Sequence, residues 1–164
     1  MPNTETTPFT IRDATTNDIP ELVQFIHELA AYEHLSAQCL VTPENLQAAL
    51  FGPRPCGEAL LGVVADQPVA FAVFFQNLST FLGKPGLYLE DLFVRPAFRR
   101  RGYARSILEH LARLANQRGC GRFEWTVLDW NKPAIDFYQR LGAQLLPDWR
   151  VCRLAGEQLA RFGT

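Results

Sequence analysis

The 164-residue sequence has no excess of charge of either sign: 16 Lys and Arg oppose 17 Asp and Glu, a formal net of −1. A protein held to nucleic acid through phosphate contacts needs a basic surplus, so that partner is not expected. Its four cysteines, Cys39, Cys56, Cys120 and Cys152, include no Cys-x-x-Cys pair, and His27, His34 and His110 form no ligand ladder with them. Neither a metal site nor a disulfide framework is expected from such spacing. No apolar run approaches the roughly 18 residues of a membrane helix, and Met1 to Thr7 is too polar for a secretory leader. Repeats and low-complexity tracts are missing too. Together these absences lead to the expectation of a soluble cytoplasmic protein with reduced thiols and no membrane partner.

What is present suits one globular domain spanning 1–164, with residues 1–7 expected to be disordered; 48% of the chain is hydrophobic. Phe9, Ile11 and Asp13 suggest a short first strand. Asp18-Ile19-Pro20-Glu21 reads as a helix start, with Asp18 as cap and Glu21 closing a capping box. Thr42-Pro43 opens a second helix that ends near Gly52. Ala59 to Ala65 and Val69 to Phe75 flank a turn and predict a hairpin, followed by an apolar strand over Leu87 to Val94. Ala104, Ile107, Leu108, Leu111 and Ala115 mark one face of a long helix. Phe123, Trp125 and Val127 alternate as a half-buried strand. Ala134, Phe137, Tyr138 and Leu141 give another helix, ended by Gly142, and a last strand is predicted over Arg150 to Leu154. This order predicts an α/β fold around one mixed sheet.

The most informative stretch is Leu92-Phe93-Val94-Arg95-Pro96-Ala97-Phe98-Arg99-Arg100-Arg101-Gly102-Tyr103-Ala104. It reads as a strand, a loop, and a basic turn opening a helix. Such a helix start offers unpaired N–H groups and partial positive charge to a phosphate. Gly102 allows close backbone approach, Ala104 keeps the first turn uncrowded, and the arginines add forked bonds to phosphate oxygens. Read without context, the arginines also suit a solvated basic turn.

Arg99-x-x-Gly102-x-Ala104 resembles the Q/R-x-x-G-x-G/A signature of the GCN5-related N-acetyltransferases, the GNAT family. The block from Asn131 through Ala134, Phe137 and Tyr138 to Gly142 looks like a second element of that family. "LYLEDLFV", "HELAAYEHL", "LDWNKPAIDFY" and "DWR" narrow the likeness to its spermidine/spermine branch, which includes diamine and thialysine acetyltransferases. The similarity runs from about Ile11 to Leu159. It implies the GNAT fold, a central mixed β-sheet flanked by helices on both faces. It also implies acetyl-CoA as cofactor, held by Leu92, Phe93, Val94, Arg99, Arg100, Arg101, Gly102, Tyr103, Ala104, Arg105, Asn131, Pro133, Phe137 and Tyr138. A homodimer is expected because the branch is usually dimeric.

An alkylamine with a pKa near 10.4 is protonated at neutral pH, so acetyl transfer to it needs a proton acceptor. By resemblance Glu90 is that base and Asp91 its neighbour, the two pointing to opposite faces unless a bulge intervenes. Two acids inside an apolar strand are costly to bury without a task. Tyr138 matches the family's general acid, although a tyrosine on a helix also suits a core with a satisfied hydroxyl. Asn131 matches a residue that bonds the pantetheine arm, a role compatible with capping its own helix. Glu28, Glu33 and Trp149 match an acidic amine pocket, and both glutamates suit a solvated helix face equally. Where polyamine enzymes of the branch carry an acid and a tryptophan, this chain has Ser79 and Phe81. A small diamine or an amino-acid-like ω-amine is therefore expected before spermine. The rival readings are a protein or peptide N-acetyltransferase and a non-catalytic acyl-CoA-binding module.

Overall fold

Thr15 and Asp18 begin the first helix by bonding to one another. In the computed structural model, which describes residues 7–163, the Thr15 N–H and hydroxyl both donate to Asp18 Oδ2, at 2.8 and 2.9 Å. Arg12 completes the knot with 2.8 and 2.7 Å bonds to the same carboxylate, which holds that carboxyl far below its usual range. This corrects the expected Asp18–Glu21 capping box: Asp18 serves Thr15 and Arg12, and Glu21 is drawn away to Arg95 at 2.9 Å. Of the expectation for residues 1–7, positions 1–6 lie outside the described residues.

The chain separates into two compact units, one ending at Thr126 and one beginning at Val127. The first contains β1 (Phe9–Asp13), α1 (Ile19–Tyr32), α2 (Pro43–Phe51), β2 (Glu58–Val64), β3 (Gln67–Ser79), β4 (Lys84–Val94), α3 (Tyr103–Gln117) and β5 (Arg122–Trp125). The second contains α4 (Lys132–Arg140) and α5 (Gly156–Phe162). Thr42 caps α2 as expected, accepting from the Asn45 N–H at 3.2 Å while Asn45 Oδ1 accepts from the Thr42 N–H at 2.9 Å. Ala65 and Asp66, both at positive φ, make the tight β2–β3 turn.

The sheet has the order β1-β2-β3-β4-β5, antiparallel except for the parallel pair β4–β5. Alternation sends Leu61, Phe71 and Phe93 to one face, where Leu22, Phe25 and Leu29 of α1 and Leu50 of α2 close over them. Leu60, Ala72 and Phe74 take the other face, covered by α3, which buries Ile107, Leu108, Leu111 and Ala115. The mixed sheet therefore carries helices on both faces. Among the described residues, no helix is long and apolar enough to cross a membrane.

In the second unit the predicted strand over Arg150 to Leu154 does not form. Those residues are exposed and irregular, and α5 follows instead. Apolar spacing names a face but supplies no ladder partner, and a strand without one leaves its N–H and C=O groups to water.

Candidate active site

Two features of β4 shape the site. The register with β3 slips by one residue: Phe74 pairs with Leu89 and Val73 with Asp91, so Glu90 is an extra, bulged residue. The bulge reverses the alternation, placing Asp91 with Val73 and Phe93 on the face that α1 covers. The second feature is the short reach of β5, which pairs β4 only from Gly86 to Leu89. Beyond Leu89 the outer edge of β4 runs on with no strand beside it among the described residues.

Asp91 shares a pocket of about 170 Å³ with Ile26, Leu29, Ala30, Glu33, Leu35, Gln38 and Cys39. Burial, then the negative charges of Glu90 and Glu33, push its carboxyl up to about 7. Glu33, the residue that closes α1, is raised as well, by burial. An apolar wall carrying two carboxyls of elevated pKa favours a cationic ligand. A ligand ammonium would relieve both their repulsion and their desolvation.

Glu90 itself is exposed at the bulge. Glu28 lies elsewhere: Arg95 Nε donates to both its oxygens at 3.2 and 3.0 Å, Arg95 Nη2 at 2.9 Å, and Gln24 at 3.0 Å. These bonds hold the Glu28 carboxyl below its usual range. Arg95 also reaches Glu21 and the Pro68 carbonyl, each at 2.9 Å, and its guanidinium lies 4.1 Å from the Phe25 ring centre. Reading the sequence did not single out Arg95. Its partners lie far away along the chain, so no local spacing announces them.

At the end of β4 the chain makes a short 3-10 turn, Pro96–Phe98, and then the basic turn. Arg100 and Gly102 both have positive φ, 61° and 84°, and α3 starts immediately after. The first bond within the helix is Ser106 N–H to Gly102 carbonyl, 3.0 Å. The N–H groups of Gly102, Tyr103, Ala104 and Arg105 are thus left without intrahelical acceptors. A Cβ added to Gly102 would meet nothing within 4 Å, so the space over this cradle is open. The cradle fits a diphosphate group through backbone donors and the helix dipole.

The arginine side chains of this segment have different surroundings. Arg99 folds inward, with Nε 2.9 Å from the Val94 carbonyl and its guanidinium over Tyr32 at 4.6 Å and Phe93 at 5.3 Å. Arg101 bonds the Ala97 carbonyl at 3.3 Å, and Arg105 pairs with Glu109 at 2.8 Å. Arg100 has no ion-pair partner among the described residues. Phe93 and Val94 are buried and Leu92 is half-buried, so any contact they make with a ligand comes mainly from backbone.

In the second unit, Asn131 is buried and its Oδ1 accepts from Ala134 N–H at 3.3 Å, capping α4 with Pro133 in the first turn. Tyr138 is half-buried on α4, its ring 5.4 Å from that of Phe137. Trp149 is 77% exposed. In the first unit, Ser79 is buried and accepts the Leu82 N–H at 3.3 Å within the β3–β4 turn, while Phe81 projects fully from that turn.

The model of the acetyltransferase (GNAT) family matches residues 23–143. L-ornithine N5-acetyltransferase of Arabidopsis thaliana is 32% identical, over 91% of this chain and 85% of that protein. Thialysine N-epsilon-acetyltransferase of Sus scrofa is 35% identical, over 91% and 94%. Among solved structures, an integron cassette protein from the mobile metagenome of V. cholerae superposes with a TM-score of 0.80 at 24% identity. It covers 94% of this chain and 97% of its own, a likeness of fold.

Proposed function

The chain belongs to the acetyltransferase (GNAT) family, and from that premise we propose that it moves an acetyl group from acetyl-CoA to the primary amine of a small substrate. The substrate class is a short diamine or an amino acid with a side-chain amine, by direct transfer. The observation that carries the substrate reading is the pocket that Glu33 and Asp91 line together with apolar side chains. The relatives that act on ornithine and on thialysine support it.

Acetyl-CoA supplies an activated acetyl thioester. Gly102, Tyr103, Ala104 and Arg105 would hold its diphosphate through their N–H groups, and Arg100 is placed to add a charged contact. The unpaired edge of β4 offers backbone N–H groups to a thioester oxygen.

Asp91 and Glu33 bind the ammonium. Glu90, exposed at the bulge, takes the proton that the amine must lose before attack, directly or through water. Tyr138 gives a proton to the departing sulfur; the family motif supports that role. Glu28 has no part in amine binding here, because Arg95 and Gln24 already occupy its carboxylate. The exposed Trp149, Val151 and Phe162 of the second unit support association into a homodimer.

Thiol release from acetyl-CoA, measured against thialysine, ornithine, lysine, putrescine, cadaverine, spermidine, spermine and a histone-type peptide, tests the proposal. Turnover of one or more short amines, lost in Tyr138→Phe and in Glu90→Gln, is the expected result. Preference for the peptide would move the assignment to a protein acetyltransferase. Tight acetyl-CoA binding with no turnover of any amine would leave an acyl-CoA-binding module.

A further inference from the structure

The pocket wall contains a nucleophile that acetyl transfer does not use. Cys39 lines the same cavity as Glu33 and Asp91. A 3-10 turn, Ser36–Gln38, closed by the Cys39 N–H on the Ser36 carbonyl at 3.2 Å, carries it back over α1. There Cys39 Sγ shares a hydrogen bond with His27 Nδ1 at 3.5 Å. An imidazole in contact with a thiol can take its proton as the sulfur attacks, the pairing on which nucleophilic cysteines depend. The carboxylates in the wall add a second property: their field gathers cations and repels anions. Cys56 and Cys152 are the more exposed thiols, but Cys56 bonds the Ala49 carbonyl at 3.6 Å. Neither has a histidine partner among the described residues.

We propose that Cys39 is a thiol–disulfide exchange site selective for small cationic disulfides, those bearing an ammonium a few bonds from the S–S bond. The ammonium docks on Glu33 and Asp91, which brings the disulfide to Cys39. The Cys39 sulfur attacks one sulfur as His27 accepts the thiol proton. The S–S bond breaks, its electron pair leaves on the second sulfur, and that thiolate takes the proton back from His27. One mixed disulfide and one aminothiol result, with no net oxidation. The adduct fills the wall of the pocket and blocks amine acetylation; this consequence, unlike the exchange itself, rests on the function proposed above.

The full chain is treated at neutral pH with cystamine or with the dianionic 3,3′-dithiodipropionate, trapped with acid and mapped by peptide mass spectrometry. Amine acetylation is followed in parallel. Cystamine is expected to modify Cys39 before Cys56 and Cys152, about tenfold faster than the dianion, with added salt narrowing the gap. This comparison needs no variant. His27→Asn should slow the Cys39 reaction about tenfold and leave the other thiols unchanged. Cys56 or Cys152 reacting first with both reagents, or Cys39 reacting equally fast in His27→Asn, would overturn the proposal. A complete Cys39 adduct that leaves amine acetylation intact would keep the exchange site and overturn the reading of this pocket as the amine site.

Discussion

Phe9 lies flat against Tyr103, ring centroids 4.1 Å apart and planes 6° from parallel. The contact joins the start of β1 to the first residue of α3, and Gly62 makes the room for it. A Cβ at Gly62 would fall 2.5 Å from Phe9 Cζ. Since Tyr103 directly follows the turn at Gly102, the β1 ring steadies the donors of that turn. Phe9→Ala should lower stability by about 1–2 kcal/mol and weaken acetyl-CoA binding about tenfold. Gly62→Ala should do the same by displacing the ring. Urea melts and calorimetric titration with acetyl-CoA measure both effects.

Asp91 gives opposite pH trends for binding and stability. Its carboxyl ionises near pH 7 in the folded protein, against an ordinary 3.8. The folded state therefore holds a proton that the unfolded chain has already released. Stability from this group is complete below pH 3.8, declines above it, and is lost as pH rises through 7. The limit is about 4 kcal/mol, at roughly 1.36 kcal/mol for each tenfold difference in proton affinity between the two states. Amine binding should run the other way under the proposed function, improving as Asp91 ionises. In Asp91→Asn the KM for the amine should rise at least about tenfold and lose its dependence on pH between about 6 and 8. Its melting temperature should fall less than the wild type's between about pH 5 and 8.

Arg95 stands between Glu21 and Glu28 over the ring of Phe25. Arg95→Met leaves two carboxylates on α1 without their common partner, at a cost of about 1–3 kcal/mol given their partial exposure. Glu28→Gln alone should cost less, and the double variant less than the sum of the two. The same helix ends in Glu33, so the KM for the amine should rise in Arg95→Met while acetyl-CoA affinity holds. Denaturant melts and steady-state kinetics separate these outcomes.

Gly102 and Gly142 provide a matched pair. Their φ values are 84° and 92°, and an added Cβ meets nothing within 4 Å at either. Alanine at each position should cost about 1–2 kcal/mol of backbone strain. Only Gly102→Ala should also weaken acetyl-CoA, because only Gly102 opens the helix whose N–H groups form the cradle. Thermal shifts with and without acetyl-CoA distinguish the two.

Sedimentation should show a dimer at micromolar concentration. Trp149→Ser with Phe162→Ser should shift it toward monomer, since both side chains are largely exposed in the single chain.

Wherever the determinants are local, the sequence alone was enough to read them. Thr42-Pro43 marks the start of α2 because cap and helix lie within four residues, and the apolar runs Ala59 to Ala65 and Val69 to Phe75 locate β2 and β3 because those runs are buried. The turn at Gly102 was legible for the same reason. Competition from outside the helix defeated the Asp18–Glu21 box: Arg12 of β1 and Arg95, just past β4, take the two carboxylates. The strand expected at Arg150 to Leu154 does not form, because apolar spacing alone does not bring a segment into a ladder. Two acids in β4 were visible as a functional signal, yet alternation alone could not say which of them enters the pocket. His27 and Cys39 stand twelve residues apart, and nothing in their spacing reveals that a 3-10 turn brings them together.

The extra residue at Glu90 works as a parity switch for the end of β4. Counting in twos from Leu89 would turn Asp91 and Phe93 toward α3; the bulge turns them toward α1. Deleting Glu90 itself would close the bulge and leave Asp91 beside Leu89 with both faces kept, whereas deleting Leu92 would exchange the faces of Phe93 and Val94 and turn Phe93 away from the α1 core. The strand should therefore keep its fold whatever stands at position 90, although only an acid there serves the proposed proton transfer.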